Sequence, residues 1–572
     1  MSRRLPAMRI DALILAFTLF AAGPVYAGNE DKQSLSNSPE ELVRMLENAS
    51  FLPPRAYRKV RDAAVAAHSV PLGLPPLRQA FPEADDPRRD ISAVELAAYA
   101  EVLKEIAVES RRDGEILWGR IQGTKYERKA LRWIEGRLHA FGIDDVHYDP
   151  FPSQAPQWRP TVNELVITAA PGFAEGQVFE FPLAVTAFVS ATTVKGGIEG
   201  PVIYVGDGTP AELQGRDLKD KIVLLRGRSN PGALLNSART AYSRLATGRY
   251  GKPAGIVVWW EVPRASQVAG RVGAPGGGDA IGKALPWIGI GDDVGLYLRK
   301  LLDRATPEHP VVMRLDVQGE MESGEARMSG NVYGILPGQS GEYIVIPTHV
   351  DGYFYGIHDN GASVALNLSL ARHYAALPAE ERAHGLIFLF QGDHEVPGVG
   401  GTIPFIEKNR TQMEEHLLLV LRPEHLGMMR MMDEALFFVR SNAMDPLMLL
   451  VTNRSPVLLD LFRQAADHYS IAMGDFVYVD PAADEAAFHP PYNDLDAISA
   501  GWVQTGMFYH STADVDLGAV DFAMVQQLAR GHAFIIDGLA EFDKADLQRG
   551  GSPVPAKSIY QSELMKLILG NN

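Results

Sequence analysis

Four short segments rich in histidine and carboxylate each follow an apolar run typical of a buried strand. The first, "HVDGYFYGIHDNGAS", begins at His349, directly after "EYIVIPT". The other three are "QGDHE", "RPEH" and "YHSTAD", which follow the apolar runs "HGLIFLF", "HLLLVL" and "WVQTGMF". Ligands of open parallel sheets bind outside the carboxyl ends of the strands. The sequence therefore predicts that these four segments lie together at one edge of a sheet.

The residue types in the four segments favour a hydrolytic zinc site. Histidine and carboxylate both bind zinc, and the chain contains no cysteine, so it has neither thiolate ligands nor disulfides. A single histidine at a strand end is more often a hydrogen-bonded structural residue. Four consecutive strand ends that carry acid or imidazole make a metal centre the better interpretation.

The elements that must position these segments follow an α/β pattern. Apolar residues recur every three to four positions in "AVELAAYAEVLKEIAVESRRDG" and "GTKYERKALRWIEGRLHAFGI", which predicts two helices before the first strand. After "GNVYGILPG", short continuous apolar runs alternate with helical segments. The pattern predicts a mixed, mostly parallel sheet sandwiched by helices.

A middle segment has a different character and predicts an inserted module. Short β runs such as "KIVLLRGR" and "AGIVVWWEV" are separated by glycine-rich turns. We expect a β-rich domain at 165–325, inserted into a main domain made of 91–164 and 326–545. A lead-in segment at 28–90 precedes the main domain, and a tail at 546–572 follows it.

The first 27 residues are typical of a secretory signal peptide. Three arginines precede the apolar run "ALILAFTLFAA", and small residues lead to a cleavage point after Ala27. We expect an exported protein, periplasmic or secreted, with no stable membrane span after cleavage. The formal net charge of −16 argues against a nucleic acid partner.

The motifs resemble a known family. "HVD" followed by "HDNGAS" resembles the metal-binding signature of the co-catalytic zinc exopeptidases, which include bacterial secreted aminopeptidases and glutamate carboxypeptidase II. "FYHSTADVDL" and "ADEAAF" are similar to later motifs of that family, and the inserted module resembles a protease-associated domain. The resemblance covers most of residues 90–540.

The resemblance implies two zinc ions about 3.5–4 Å apart. By position, His349 would bind one ion, Asp359 would bridge both, and His510 would bind the other. Asp351 would orient the imidazole of His349 and so assist catalysis.

The remaining family positions leave alternatives open. Glu424 lies where the family has an aspartate ligand, and His425 could serve in its place. In "DHE" the family has two glutamates, a general base followed by a ligand. Glu395 could be the base with no ligand after it, or the ligand with His394 as base. In a third alignment Asp393 is the base and His394 the ligand.

The resemblance implies a zinc-dependent exopeptidase, and we expect an aminopeptidase that cleaves a peptide or small amide through a metal-activated bridging water. Asp484 is the candidate for binding a substrate amine. A carboxypeptidase or other amidohydrolase is the alternative, with Arg422 as the candidate for binding a carboxylate. A further alternative is a non-catalytic binding homologue with a degraded metal site, because "DHE" has only one glutamate.

Overall fold

A computed structural model describes residues 85–549 apart from short gaps. The gaps are 229–236, 264, 271, 273–283, 396–399, 435–436, 445–446, 454, 472, 479–491, 493–494, 496, 505, 507 and 516–519. The expected signal peptide and C-terminal tail, and nearly all of the lead-in segment, lie outside the described residues.

Ten α-helices are present in the described part of the chain. The first begins after Ser92, whose hydroxyl accepts the N–H of Glu95 and so caps the helix. The helices are α1 (Ala93–Arg112), α2 (Lys125–Ala140), α3 (Pro210–Leu213), α4 (Ser237–Ala246), α5 (Asp292–Leu302), α6 (Ala362–Ala375), α7 (Thr402–His416), α8 (Pro456–Tyr469), α9 (Phe522–Gly538) and α10 (Lys544–Gln548).

Seventeen strands accompany these helices. They are β1 (Gly119–Arg120), β2 (Asp145–Ala169), β3 (Phe179–Glu180), β4 (Ile198–Tyr204), β5 (Ile222–Arg228), β6 (Gly255–Glu261), β7 (Trp287–Ile290), β8 (Val312–Leu336), β9 (Tyr343–His349), β10 (Gly352–Tyr353), β11 (Gly385–Gln391), β12 (Leu417–Leu421), β13 (Met429–Glu434), β14 (Phe437–Met444), β15 (Leu447–Val451), β16 (Met473–Tyr478) and β17 (Ser499–Val503).

One large sheet runs through the described residues in the order β16-β15-β17-β12-β9-β11-β8-β4-β5-β6-β7, with β2 and β3 attached at β8. Strands β17, β12, β9 and β11 are neighbours and run parallel to one another. Strand β8 is antiparallel to β11, and β15 is antiparallel to β17. The expected mixed, mostly parallel sheet is confirmed.

Helices cover both faces of this sheet. On β11, Leu386 and Phe388 belong to the core beneath α1, α6, α8 and α9, whereas Ile387 and Leu389 belong to the core beneath α7. Because consecutive side chains of a strand point to opposite faces, both faces must be apolar, which explains the continuous apolar runs of the sequence. In the described part of the chain, no helix combines the length and apolar character needed to cross a bilayer.

The second lobe, residues 170–311, continues the same sheet. Its parallel strands β4 to β7 join the rest through β8, and α4 and α5 pack against them. Both expected domain boundaries, 164/165 and 325/326, fall inside the 25-residue strands β2 and β8. These two strands therefore connect the lobe and the main domain within one sheet.

Candidate metal centre

The four polar segments meet at the carboxyl ends of four adjacent parallel strands. His349 is the last residue of β9, and Glu395 follows β11 by four residues. Glu424 follows β12, and its backbone pairs with Val503 at the end of β17. His510 lies in the turn that follows β17. Their side chains are buried.

Asp359 lies at the middle of the cluster. Its Oδ1 is 3.2 Å from Nε2 of His349, and its Oδ2 is 3.2 Å from Nε2 of His510. The carboxylate of Glu395 completes this second group, with Oε2 2.9 Å and Oε1 3.0 Å from Nε2 of His510. The two oxygens of one carboxylate thus face two separate groups of ligand atoms.

The group around His349 contains two more side chains. Glu424 Oε1 lies 3.3 Å from Nε2 of His349. Nε2 of His425 lies 3.2 Å from Asp359 Oδ1 and 3.3 Å from Glu424 Oε1. The backbone N–H of His425 donates to Oδ1 of Asn360, which fixes the turn after β12 against the loop that carries Asp359. Glu424 and His425 therefore both point into the cluster.

The "DHE" segment distributes its three side chains in different directions. Glu395 points at Asp359 and His510. His394 is partly exposed and stacks on the ring of His349, with centroids 4.1 Å apart. Asp393 points away, and its Oδ1 accepts the hydroxyl of Ser153 at 2.5 Å. Glu395 therefore lies in the group formed with Asp359 and His510, and His394 lies near enough to His349 and Glu424 to be a ligand as well, so the three alignments stay open.

A buried glutamate fixes the backbone of this segment. Glu127, in the first turn of α2, accepts the backbone N–H groups of Asp393 at 2.8 Å and Gly123 at 2.7 Å. Asp393 has a φ of +63°, a conformation that costs energy in a residue other than glycine. The hydrogen bond from its N–H to Glu127 helps to hold this conformation. Burial, followed by repulsion from Asp351 and Asp393, raises the pKa of Glu127 well above its usual value.

The loop between β9 and α6 is clamped from inside by Arg120. This fully buried guanidinium donates to the carbonyls of Val350 at 2.8 Å, Tyr355 at 3.0 Å and Gly356 at 2.9 Å. Burial lowers the pKa of Arg120 to about 10, which leaves it charged at neutral pH. A positive charge therefore lies behind the loop that presents Asp359.

A second carboxylate fixes the backbone of this loop. Asp514 accepts the N–H of His358 at 2.6 Å and the N–H of Asp359 at 3.1 Å. The peptide bond between Asp359 and Asn360 is cis. Burial raises the pKa of Asp514 to about 7.

Asp351 connects two ligand segments. Its Oδ2 accepts the backbone N–H of Glu395 at 2.8 Å. The Nδ1–H of His349 donates to the backbone carbonyl of Asp351 at 3.0 Å, whereas the nearer carboxylate oxygen, Oδ1, is 3.6 Å away. The backbone carbonyl and the carboxylate of Asp351 therefore both lie beside Nδ1 of His349, and the carboxylate also fixes the Glu395 segment.

His510 is held by the second lobe. Its Nδ1 lies 3.3 Å from the carbonyl of Ala269, and the N–H of Ala269 donates to the carbonyl of His510 at 2.8 Å. Nearby, Oε1 of Gln267 accepts the indole N–H of Trp118 at 2.8 Å. We call residues 265–270 the strap, because they cross the turn that carries His510 and fix the orientation of its ring.

The electrostatics of the cluster suit a cation. Burial alone would lower the pKa of His349, but the neighbouring carboxylates, first Asp351, raise it well above its usual value. Burial alone would raise the pKa of Asp359, but the surrounding imidazoles, first His425, hold it well below. Ionised carboxylates thus face imidazoles and stabilise positive charge on them. A bound metal ion would supply that positive charge in place of the protons.

Zinc fits the residues present. Among the described residues, three groups of ligand atoms converge within 4.8 Å: His349 with His394 and Glu424, His349 with Asp359 and His425, and Asp359 with Glu395 and His510. Both buried oxygens of Asp359 and Oε2 of Glu424 accept no well-formed hydrogen bond from the described part of the chain. Buried carboxylate oxygens without donors are costly unless a cation satisfies them, and imidazole with carboxylate is a zinc ligand set.

The two candidates for substrate binding have different outcomes. Arg422 is 2% exposed, with Nε and Nη1 buried, so its placement gives no support to a carboxylate-binding role. Asp484 lies outside the described residues. Sequence reasoning missed Arg120, Glu127 and Asp514, and only Arg120 left a signal, as the one charged residue of the apolar and glycine-containing run "ILWGRIQG".

Comparison with known proteins gives a family match for part of the chain and a shared fold. Residues 331–515 match the sequence model of peptidase family M28. No curated protein matches the chain significantly. A peptidase M28 precursor from Shewanella amazonensis is 19% identical with a TM-score of 0.54, covering 81% of this chain and 98% of that one. BSAP, a zinc aminopeptidase from Bacillus subtilis, is 16% identical with a TM-score of 0.51, covering 78% and 95%. At these identities the two structures show the shared fold.

Proposed function

Because residues 331–515 match the model of peptidase family M28, we propose that the chain is a metallopeptidase of this family, and specifically an exported zinc aminopeptidase. The observation that carries the proposal is the position of Asp359, whose two oxygens face the His349 group and the His510 group separately. A carboxylate so placed is suited to bridge two ions. The likeness of the fold to a zinc aminopeptidase supports the choice of reaction by analogy.

When bound, zinc would polarise the scissile carbonyl and lower the pKa of a water molecule. The residues of the chain hold the reactants around it. His349 and His510 donate through Nδ1 to backbone carbonyls, so Nε2 of each is left to bind a cation. Glu395 and Glu424 supply carboxylate oxygens to the two groups.

His394 is the residue we assign to proton transfer. It directly precedes Glu395, is partly exposed, and stacks on the ring of His349. Its enclosure by protein, and next the neighbouring His349, hold the pKa of His394 well below its usual value, so its ring is neutral before the reaction. In the proposed reaction one ring nitrogen would receive the proton released by the attacking water. The amine produced by cleavage would take that proton.

The test compares peptides that differ only in which end is blocked. The mature chain, residues 28–572, is purified with zinc and offered a free peptide, its N-acetylated form and its C-terminal amide. We expect cleavage of the free peptide and the amide but not of the acetylated one. Asp359→Asn should lose both zinc and activity, whereas His416→Ala, on the exposed end of α7, should keep both.

Other outcomes would reject parts of the proposal. Loss of cleavage only when the carboxyl end is blocked would indicate a carboxypeptidase. A chain that binds no zinc and cleaves no peptide would indicate a binding homologue. Export has its own test: protein recovered from the periplasm or medium should begin at Gly28, and a chain retained in the cytoplasm with Met1 intact would contradict it.

A further inference from the structure

Four ligand atoms around Asp359 form a closed figure. They are Nε2 of His349, Nε2 of His425, Oδ1 of Asp359 and Oε1 of Glu424. Each nitrogen lies 3.2 Å from the aspartate oxygen and 3.3 Å from the glutamate oxygen. The four nitrogen–oxygen distances are therefore equal within 0.1 Å.

Hydrogen bonding does not explain this arrangement. An imidazole nitrogen carries at most one hydrogen, yet each Nε2 faces two oxygens at nearly the same distance. In neutral His349 the hydrogen lies on Nδ1, which donates to the Asp351 carbonyl, so a lone pair would face two carboxylates. Nε2 of His425 and both Asp359 oxygens make no well-formed hydrogen bond with the described residues.

A zinc ion shared by the four atoms would explain it. Bonds of about 2.0–2.1 Å from zinc to nitrogen or oxygen give a tetrahedron with edges of about 3.3–3.4 Å. The four nitrogen–oxygen distances match four of the six edges of such a tetrahedron. A single ion at its centre would bind all four side chains at once.

The backbone at His425 is built for this role. Glu424 and His425 are consecutive, and two consecutive side chains normally diverge. His425 adopts a φ of +50°, which is uncommon outside glycine, and its N–H is fixed by Oδ1 of Asn360. The left-handed turn brings both side chains back to one point. A strained conformation held in place by a specific hydrogen bond is typical of functional sites.

The other group of ligand atoms is smaller. Within the described residues it consists of Asp359 Oδ2, the carboxylate of Glu395 and Nε2 of His510. Three protein ligands leave a position for water or substrate, whereas four tetrahedral protein ligands do not.

We propose that the two metal positions are unequal: His425 is a fourth protein ligand that closes the His349 position, while the His510 position stays open to substrate. The proposal rests on the zinc centre of the proposed function and adds a division of labour to it. The closed position holds its ion tightly and anchors Asp359, and the open position is where a substrate oxygen has access.

The test measures metal binding and does not depend on peptide cleavage. Metal-free full-length mature chain is titrated with Zn²⁺ against a chromophoric chelator, and with Co²⁺ while its visible absorption is recorded. In the wild type we expect two binding steps of different affinity, and strong absorption from four-coordinate Co²⁺ in the tighter one. His425→Ala should weaken that step at least about tenfold and reduce its absorption, while the other step is unchanged.

Matched variants make the result specific. Glu395→Gln should weaken only the other step, and His416→Ala, an exposed histidine, should change neither. His425→Gln, which keeps the size of the side chain, guards against misfolding, and circular dichroism checks the fold of each variant. His394→Ala is the competing case, because His394 also lies near His349 and Glu424.

Two results would overturn the inference. One is unchanged affinity for both ions in His425→Ala and His425→Gln. The other is loss of the tighter step in His394→Ala but not in His425→Ala. In both cases the wild type still binds two ions and the proposed function stands, whereas a wild type that binds no zinc would reject the proposed function as well.

Discussion

Asp514 offers a direct test of how the chain prepares its metal centre. One oxygen of its buried carboxylate accepts the N–H of His358 at 2.6 Å and the other accepts the N–H of Asp359 at 3.1 Å. Asp514→Asn keeps the shape but replaces one acceptor oxygen with a donor NH₂ group. One of the two backbone N–H groups must then face another donor, so the loop that presents Asp359 is held less firmly.

The expected cost follows from the lost contact. A hydrogen bond to a charged group contributes about 1.5–3 kcal/mol. In the metal-free chain part of this cost is offset, because burial raises the pKa of Asp514 to about 7 and the neutral amide avoids the cost of an ionised carboxylate at neutral pH. A bound cation favours the ionised form, so the loss falls mainly on the metal-bound state. We therefore expect zinc affinity to fall by about 10- to 100-fold.

The assay is competition with a zinc chelator, combined with thermal unfolding of the metal-free chain. Asp316→Asn is the matched control: this buried aspartate of strand β8 accepts the hydroxyl of Thr193 at 2.6 Å and the N–H of Gly196 at 3.0 Å, away from the metal centre. The control should lose stability without losing zinc affinity. If Asp514→Asn binds zinc within twofold of the wild type, the reasoning is refuted.

Three further substitutions probe other parts of the structure. Arg120→Met removes the donors to three buried carbonyls of 350–356, each worth about 1–3 kcal/mol, so the melting temperature should drop by several degrees; an unchanged value would contradict the clamp. Burial lowers the pKa of His532 to about 4, so as pH falls from 6.5 towards 4 the unfolded chain binds a proton at this residue and the folded chain does not. The free energy of unfolding should therefore fall by about 3 kcal/mol over this range. In urea unfolding, His532→Phe should make that decline shallower. Trp118→Phe removes the indole donor to Gln267 and should reduce zinc retained after dialysis, with an equal retention counting against the strap.

The sequence predicted where the candidate ligands come together because the carboxyl ends of parallel strands lie at one edge of a sheet. Four apolar runs ending in acid or imidazole can converge only if the strands are parallel neighbours, and β17, β12, β9 and β11 are. The same reasoning could not assign "DHE". Which of three consecutive side chains points inward depends on backbone angles, and the φ of +63° at Asp393 turns that side chain towards Ser153.

The supporting groups could not be predicted because they act across long separations in sequence. Glu127 lies in an amphipathic helix whose other charged residues are exposed or half-buried, and its contact with the Asp393 N–H spans 266 positions. Nothing in the pattern of α2 separates it from a surface glutamate. Likewise, the β-rich character expected of the middle segment did not predict that its strands would continue the main sheet through β8.

The metal ligands and the groups that hold them come from different parts of the chain. All the candidate ligands lie within residues 331–515, the segment that matches the peptidase family. Arg120 and Glu127, which fix the loops of Asp359 and Glu395, precede that segment, and the Ala269 carbonyl against His510 belongs to the second lobe. A ligand whose orientation is set by another part of the chain depends on that part as much as on its own strand. The second lobe is therefore a component of the metal centre, and its strap fixes the ring of the histidine at the position we infer to be open to substrate.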